Sequence, residues 1–110
     1  IVALTGIRAR RTMDGRNLLP LARDPSLAQD RAVLVETVSR NSARPAFEAI
    51  RTSRWMWIEY RNGGRELYDL AADPLQLQSR HKGKGTAAVR ADLARRLAAL
   101  RKCSGAECKG

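Results

Sequence analysis

The run Trp55-Met56-Trp57-Ile58-Glu59-Tyr60 constrains the fold of this chain more than any other stretch. Large aromatic and β-branched side chains without Gly or Pro suit the pleated, half-buried surface of a strand and disfavour a helix. Alternation places Met56, Ile58 and Tyr60 on one face and Trp55, Trp57 and Glu59 on the other, so both faces are largely apolar and each needs cover. Upstream, Phe47–Arg51 reads as a second strand, with Thr52-Ser53-Arg54 as a short hairpin connection. Downstream, Asn62-Gly63-Gly64 supplies the positive φ of a tight turn, and Glu66–Leu70 returns as a strand. A turn centred on Asn62-Gly63 would set Glu59 against Glu66. One centred on Gly63-Gly64 sets Arg61 against Glu66 and Tyr60 against Leu67, and is preferred because it removes a like-charge pair. Asp73-Pro74 then has the form of a helix start, with one or two turns through about Leu77.

At 110 residues the chain is one domain, able to bury roughly 65% of its unfolded surface. Ile1–Thr5 with Gly6 resembles the last turn of a helix, and the sequence shows no signal peptide, transit peptide or membrane span. Met13–Leu21 reads as a turn followed by an anchoring cluster of Leu18, Leu19 and Leu21. Arg31–Thr37 is a short uninterrupted apolar run, read as a strand buried on both faces. Asn41–Pro45 is a polar, breaker-rich surface loop. The single His81 sits in a basic Gly-containing loop, His81–Gly85, and reads as a solvated side chain.

Thr86–Arg101 is the clear helix: Thr86 can cap it, Val89, Leu93, Leu97 and Leu100 form an apolar stripe, and Asp92 and Arg96 are spaced as an i, i+4 pair. The fold class that results is α+β, an antiparallel sheet of about four strands packed against a long C-terminal helix. Beyond it, Cys103 and Cys108 are too few for a metal site and lack the Cys-x-x-Cys redox spacing, so they read as a small disulfide loop. A disulfide implies an oxidising compartment, and so a secreted or periplasmic protein. No cluster of Cys, His or carboxylates has metal-ligand spacing, and no metal or cofactor is expected in this chain.

The net charge is +10, which by itself invites a nucleic-acid reading. The charge is spread evenly, however: five cations against three acids in each of residues 1–30, 31–60 and 61–85, and six against two in 86–110. A mixed, solvated surface is the better reading, and neither nucleic acid nor membrane is an expected partner.

Ala49-Ile50-Arg51-Thr52, Trp57-Ile58-Glu59-Tyr60 and Glu66-Leu67-Tyr68-Asp69-Leu70, followed by Asp73-Pro74 and Leu77, together resemble the C-terminal region of the sulfatase family of sulfuric ester hydrolases. Asp14-Gly15-Arg16-Asn17-Leu18-Leu19-Pro20-Leu21 is similar to a further segment of that family, with Asn17 where Ser is usual. Gln76 and Ser79 also depart from the family's Glu and Asn. The terminal helix followed by Cys103-Ser104-Gly105-Ala106-Glu107-Cys108 is similar to the N-acetylglucosamine-6-sulfatase branch. The resemblance implies an antiparallel sheet leading into a short helix. It also implies a parent that hydrolyses sulfate esters, with sulfated sugars or glycosaminoglycans as substrates, through a formylglycine made within Cys/Ser-x-Pro-x-Arg beside a Ca²⁺.

No such motif occurs here, so no catalytic, cofactor-binding or metal-binding residue is assigned, and formylglycine and Ca²⁺ are expected in a catalytic domain outside this chain. Residues 1–30 are then a linker segment from that domain and 31–110 the sulfatase-like C-terminal subdomain, catalytically incomplete. The alternatives are a stand-alone small α+β interaction domain and, further behind, a nucleic-acid-binding module. The single helix can cover one side of the sheet. Met56, Ile58, Tyr60 and Leu67 on one side and Trp55, Trp57, Tyr68 and Leu70 on the other therefore compete for cover. An exposed apolar face near Trp55 and Trp57 is expected, with self-association or a partner there.

Overall fold

Strand-forming side chains between short turns dictate a meander. The structure, a computed structural model, describes residues 1–27, 31–38 and 45–109. It contains helices α1 (Val2–Thr5), α2 (Leu19–Arg23) and α3 (Ala87–Leu100) and strands β1 (Val33–Thr37), β2 (Phe47–Arg51), β3 (Trp55–Tyr60) and β4 (Arg65–Asp69). The strands form one antiparallel sheet in the order β1-β2-β3-β4. β2 and β3 coincide with the stretches read from sequence. Thr52 N–H donates to the Trp55 carbonyl at 2.8 Å and Trp55 N–H returns to the Thr52 hydroxyl at 2.8 Å, closing the two-residue connection Ser53-Arg54.

The β3–β4 register corrects the sequence preference. Glu59 lies opposite Arg65, Ile58 opposite Glu66 and Trp57 opposite Leu67, so the turn is a three-residue loop, Arg61-Asn62-Gly63. Gly63 takes the left-handed conformation at φ 91° and donates to the Tyr60 carbonyl at 3.0 Å, while Tyr60 N–H donates to the Gly64 carbonyl. This geometry, a turn plus a left-handed residue, is a recognised hairpin solution. It puts an opposite charge against Glu59, which neither two-residue turn achieves. Because side chains alternate, the changed register exchanges the faces of Leu67 and Tyr68.

The core follows from that parity. α3 lays its stripe across one face: Ile50, Trp57, Leu67, Leu93 and Leu97 form a buried cluster, flanked by Leu34, Trp55, Val89, Ala94 and Leu100. The two tryptophans therefore lie beneath the helix and not at the uncovered face, contrary to expectation. Ala49, Met56 and Ile58 form a second cluster on the other face with Val35, Phe47, Tyr60, Tyr68 and Leu70 around it.

Three further local readings change. β1 is an edge strand, half-buried, with Val33 39% exposed, so it is not covered on both faces. Residues 73–77 form turns and no helix: the Asp73 carboxylate accepts from Leu77 and Gln78 N–H groups at 3.0 and 2.8 Å, and Gln76 is left-handed at φ 57°. That fold-back leaves no second helical turn to propagate. Thr86 stands at the start of α3, but its hydroxyl donates backwards to the Gly83 carbonyl at 2.8 Å instead of accepting from the helix. α1 ends at Gly6, left-handed at φ 70°, as the sequence suggested. Of the Asn41–Pro45 loop, residues 41–44 lie outside the described residues.

Residues 1–27 contain no buried side chain. Leu18 is 45% exposed while Leu19 and Leu21 are half-buried, so the leucines of this arm are anchored only in part. The radius of gyration of 16.2 Å exceeds the roughly 13 Å of a compact chain of this length because the arm adds reach without adding core.

Candidate functional site

Among the described residues, the two cysteines and the best-partnered charged side chains serve structural bonds. The Cys103–Cys108 disulfide forms as the spacing suggested, closing a five-residue separation in the tail. Inside that loop, buried Gly105 is left-handed at φ 61°, and its N–H donates to the Asp14 carboxylate at 2.6 Å. A Cβ at this position would meet Thr12 Cγ2 at 2.8 Å, so only glycine lets the arm approach. The disulfide loop is thus a socket for the arm, and Cys103 and Cys108 line a cleft of about 580 Å³ together with Asp14, Arg16, Arg31 and Arg101.

At the C-terminal end of α3 lies a charged row across the helix-covered face. Glu36, Glu48, Glu59 and Arg65 are consecutive cross-strand neighbours. The Arg101 guanidinium reaches down to Glu48 and, at 2.9 Å, to Glu59, which also accepts from Trp57 Nε1 at 2.9 Å. Burial alone would raise the Glu59 pKa, but the bonds from Trp57 and Arg101 outweigh it and hold the carboxyl below its ordinary range. At the other end, Asp69 is 3% exposed at the close of β4. It accepts two bonds from Arg54, at 3.2 and 3.0 Å, and one from the Ala71 N–H, and Arg80 stands 3.9 Å away. The Arg54 bonds hold the Asp69 carboxyl below the usual carboxylate range, and Arg54 also stacks over the Trp55 ring at 4.9 Å. His81 is half-buried and shares a 3.1 Å contact between Nδ1 and the Ser79 hydroxyl.

The second cluster is the remaining candidate. Ala49, Met56 and Ile58 are 0%, 9% and 8% exposed, shielded by taller neighbours on their own face: Phe47 and Tyr60 meet edge-on at 5.7 Å, and Tyr68 donates to Glu66 at 2.9 Å. Burial, aided by Glu66, pushes the Tyr68 hydroxyl up to about 12.

A family model described as "N-sulphoglucosamine sulphohydrolase, C-terminal" matches residues 1–103. The chain belongs to this sulfatase C-terminal family. Its fold matches a structure of BT4656 in complex with its substrate D-glucosamine-2-N,6-O-disulfate, with a TM-score of 0.79 and 19% identity over 92% of this chain. It also matches the phosphonate monoester hydrolase of Agrobacterium radiobacter, with a TM-score of 0.71 and 26% identity over 91% of the chain. The sulfatase region described here spans 22% and 23% of those two chains. No curated protein sequence matches.

The formylglycine and Ca²⁺ that the sulfatase family implies do not fit the residues present. Neither cysteine lies in Cys/Ser-x-Pro-x-Arg, both are bonded to each other, and no group of three or more His, Cys, Asp or Glu among the described residues could hold a metal ion. No described helix is long and apolar enough to cross a membrane. What sequence reading missed in this sulfatase region are the two long-range ties, Arg101 to Glu48 and Glu59, and Asp14 to Gly105. The alternation that puts Glu48 and Glu59 on the helix face was a readable signal for the first; the second had none.

Proposed function

We propose that this chain is the C-terminal subdomain, residues 31–110 joined by a linker segment 1–30, of a secreted or periplasmic hydrolase of sulfate esters carried by glucosamine-containing sugars. Its nucleophile and metal are supplied by a catalytic domain outside these residues, where a hydrated formylglycine provides the attacking oxygen and Ca²⁺ the positive charge. One observation carries the reading: a family model named for a sulphohydrolase covers residues 1–103, a span with no nucleophile motif. BT4656, whose fold this chain shares, is bound to a glucosamine carrying both an N-sulfate and a 6-O-sulfate. That substrate joins the sulphohydrolase name of the family model with the 6-sulfatase branch that the Cys103–Cys108 tail resembles. The disulfide supports an oxidising compartment.

A second reading rests on the phosphonate monoester hydrolase, since phosphonate and sulfate monoesters are both tetrahedral anions cleaved at the ester oxygen. The test is to assay the full-length protein on a sulfated glucosamine and on an aryl phosphonate monoester side by side. Sulfate release, abolished by substituting the Cys or Ser of an upstream Cys/Ser-x-Pro-x-Arg, is the expected result. Phosphonate hydrolysis without sulfate release would overturn the first reading in favour of the second.

A further inference from the structure

We infer that Arg8-Ala9-Arg10-Arg11, in the arm, is a processing site at which a serine protease specific for paired basic residues cuts the Arg11–Thr12 bond. The inference does not depend on the activity proposed above. A protease of this kind takes its substrate as an extended strand and selects it through pockets at single positions, acidic where an arginine is required. Arg10 and Arg11 supply the two cations next to the cut, and Arg8 a third two residues further back. Extension puts Arg8 and Arg10 on one side of the chain and Arg11 on the other. Three separate carboxylate pockets can then each take one guanidinium, through charge-assisted hydrogen bonds.

The structure makes this bond available and withholds the others like it. Residues 6–18 are exposed and belong to no helix or strand, and 7–13 make no hydrogen bond or ion pair among the described residues. The backbone there can enter a protease cleft without breaking any structure, and nicking concentrates at such segments. The two other pairs of adjacent basic residues in the sequence are Arg95-Arg96 and Arg101-Lys102. The first lies within α3. In the second, the Arg101 guanidinium is held by Glu48 and Glu59, and Cys103 follows directly in the disulfide. Hydrolysis adds water across the Arg11–Thr12 bond, leaving a carboxylate on Arg11 and an ammonium on Thr12, with no other reactant consumed. Downstream of the cut the arm keeps its seat, because Asp14 accepts from the Gly105 N–H at 2.6 Å and Thr12 occupies the space that a Gly105 Cβ would need. Upstream, residues 1–11 contain no buried side chain. The new terminus therefore stays at the disulfide socket, while the segment before it loses its covalent tie.

The test uses the full-length protein, both isolated from its own source and produced uncut and then treated with a subtilisin-like endoprotease specific for paired basic residues. Intact mass and N-terminal sequencing read each sample. The expected result in both is one break with the new terminus Thr12-Met13-Asp14, while Arg95-Arg96 and Arg101-Lys102 stay whole until the protein is unfolded and reduced. Arg11→Ala should slow the cut more than about a hundredfold, as loss of a required polar contact does. It should leave the melting midpoint unchanged, because the exposed side chain has no partner to lose. An unbroken chain from the native source, a first cut at either of the other pairs, or equal cutting of Arg11→Ala would overturn the inference. A chain that stays whole and is retained on a sulfated polysaccharide only while Arg8, Arg10 and Arg11 are present would assign the run to an anionic polymer and likewise overturn it.

Discussion

Arg101→Gln should weaken the fold in a way that depends on pH with a defined sign. Arg101 bridges Glu48 and Glu59, which face each other across β2 and β3; without it, two carboxylates on adjacent strands are opposed with Arg65, 3.9 Å from Glu59, as the remaining cation. Hydrogen bonds to charged groups contribute about 1.5–3 kcal/mol each when buried. The side chains of Arg101, Glu48 and Glu59 are 29%, 36% and 15% exposed, so solvent screening reduces the pair of bonds to about 2 kcal/mol in total. For a domain of this size that is a fall of about 10 °C in melting midpoint.

Glu59 is depressed in the folded state, so its contribution is present above the unfolded value of 4.5 for a free Glu side chain and is lost as pH falls through the folded value. Urea unfolding of wild type and variant from about pH 7 to about pH 3 should therefore show a gap that is full at neutral pH and narrows below about 4.5. Glu48→Gln in the Arg101→Gln background should recover part of the loss, because it removes the facing charge. A gap that stays constant across the range, or a variant within about 0.5 kcal/mol of wild type at neutral pH, would refute the bridge.

Leu97→Ala, at a side chain with 0% exposure beneath the sheet, should cost about 3 kcal/mol, whereas Leu75→Ala at 75% exposure should stay within about 0.5 kcal/mol, both by urea titration. Replacing Cys103 and Cys108 with Ser should cost about 2 kcal/mol or less, the loop being short; hydrogen exchange should quicken in residues 12–18 and at Gly105, and Gly105→Ala should produce the same local release without removing the disulfide. Tyr68 should ionise near 12 by ultraviolet titration. Since its folded value is raised, its contribution is present below the ordinary 10 and is lost as pH rises towards 12, and Tyr68→Phe should flatten that alkaline loss.

The strand content was legible because β2 and β3 are built from side chains that suit little else, and the two-residue connection between them was fixed by Thr52. The next hairpin was not legible. A two-residue turn leaves out the loop in which Gly63 takes the left-handed position, and that difference exchanges the faces of Leu67 and Tyr68; the cover over the tryptophans depends instead on which side of the sheet α3 crosses, which the strand pattern does not encode. Asp73-Pro74 carried a helix-start signal, yet the carboxylate reaches the fourth and fifth residues beyond it, which closes a turn instead. Of the site, the disulfide followed from cysteine spacing alone. The Arg101–Glu59 tie spans 42 residues and the Asp14–Gly105 tie 91; each depends on where a helix end or a tail comes to rest in space, which no local pattern encodes.

The proposed function gives this chain the fold of a sulfatase C-terminal subdomain and assigns the chemistry to residues elsewhere in a longer protein. The most direct test is sulfate release, with and without added Ca²⁺, by the purified 110-residue chain and by the full-length protein. Turnover is predicted for the full-length protein alone. Sulfate release that follows the pure 110-residue chain through successive columns would contradict the account.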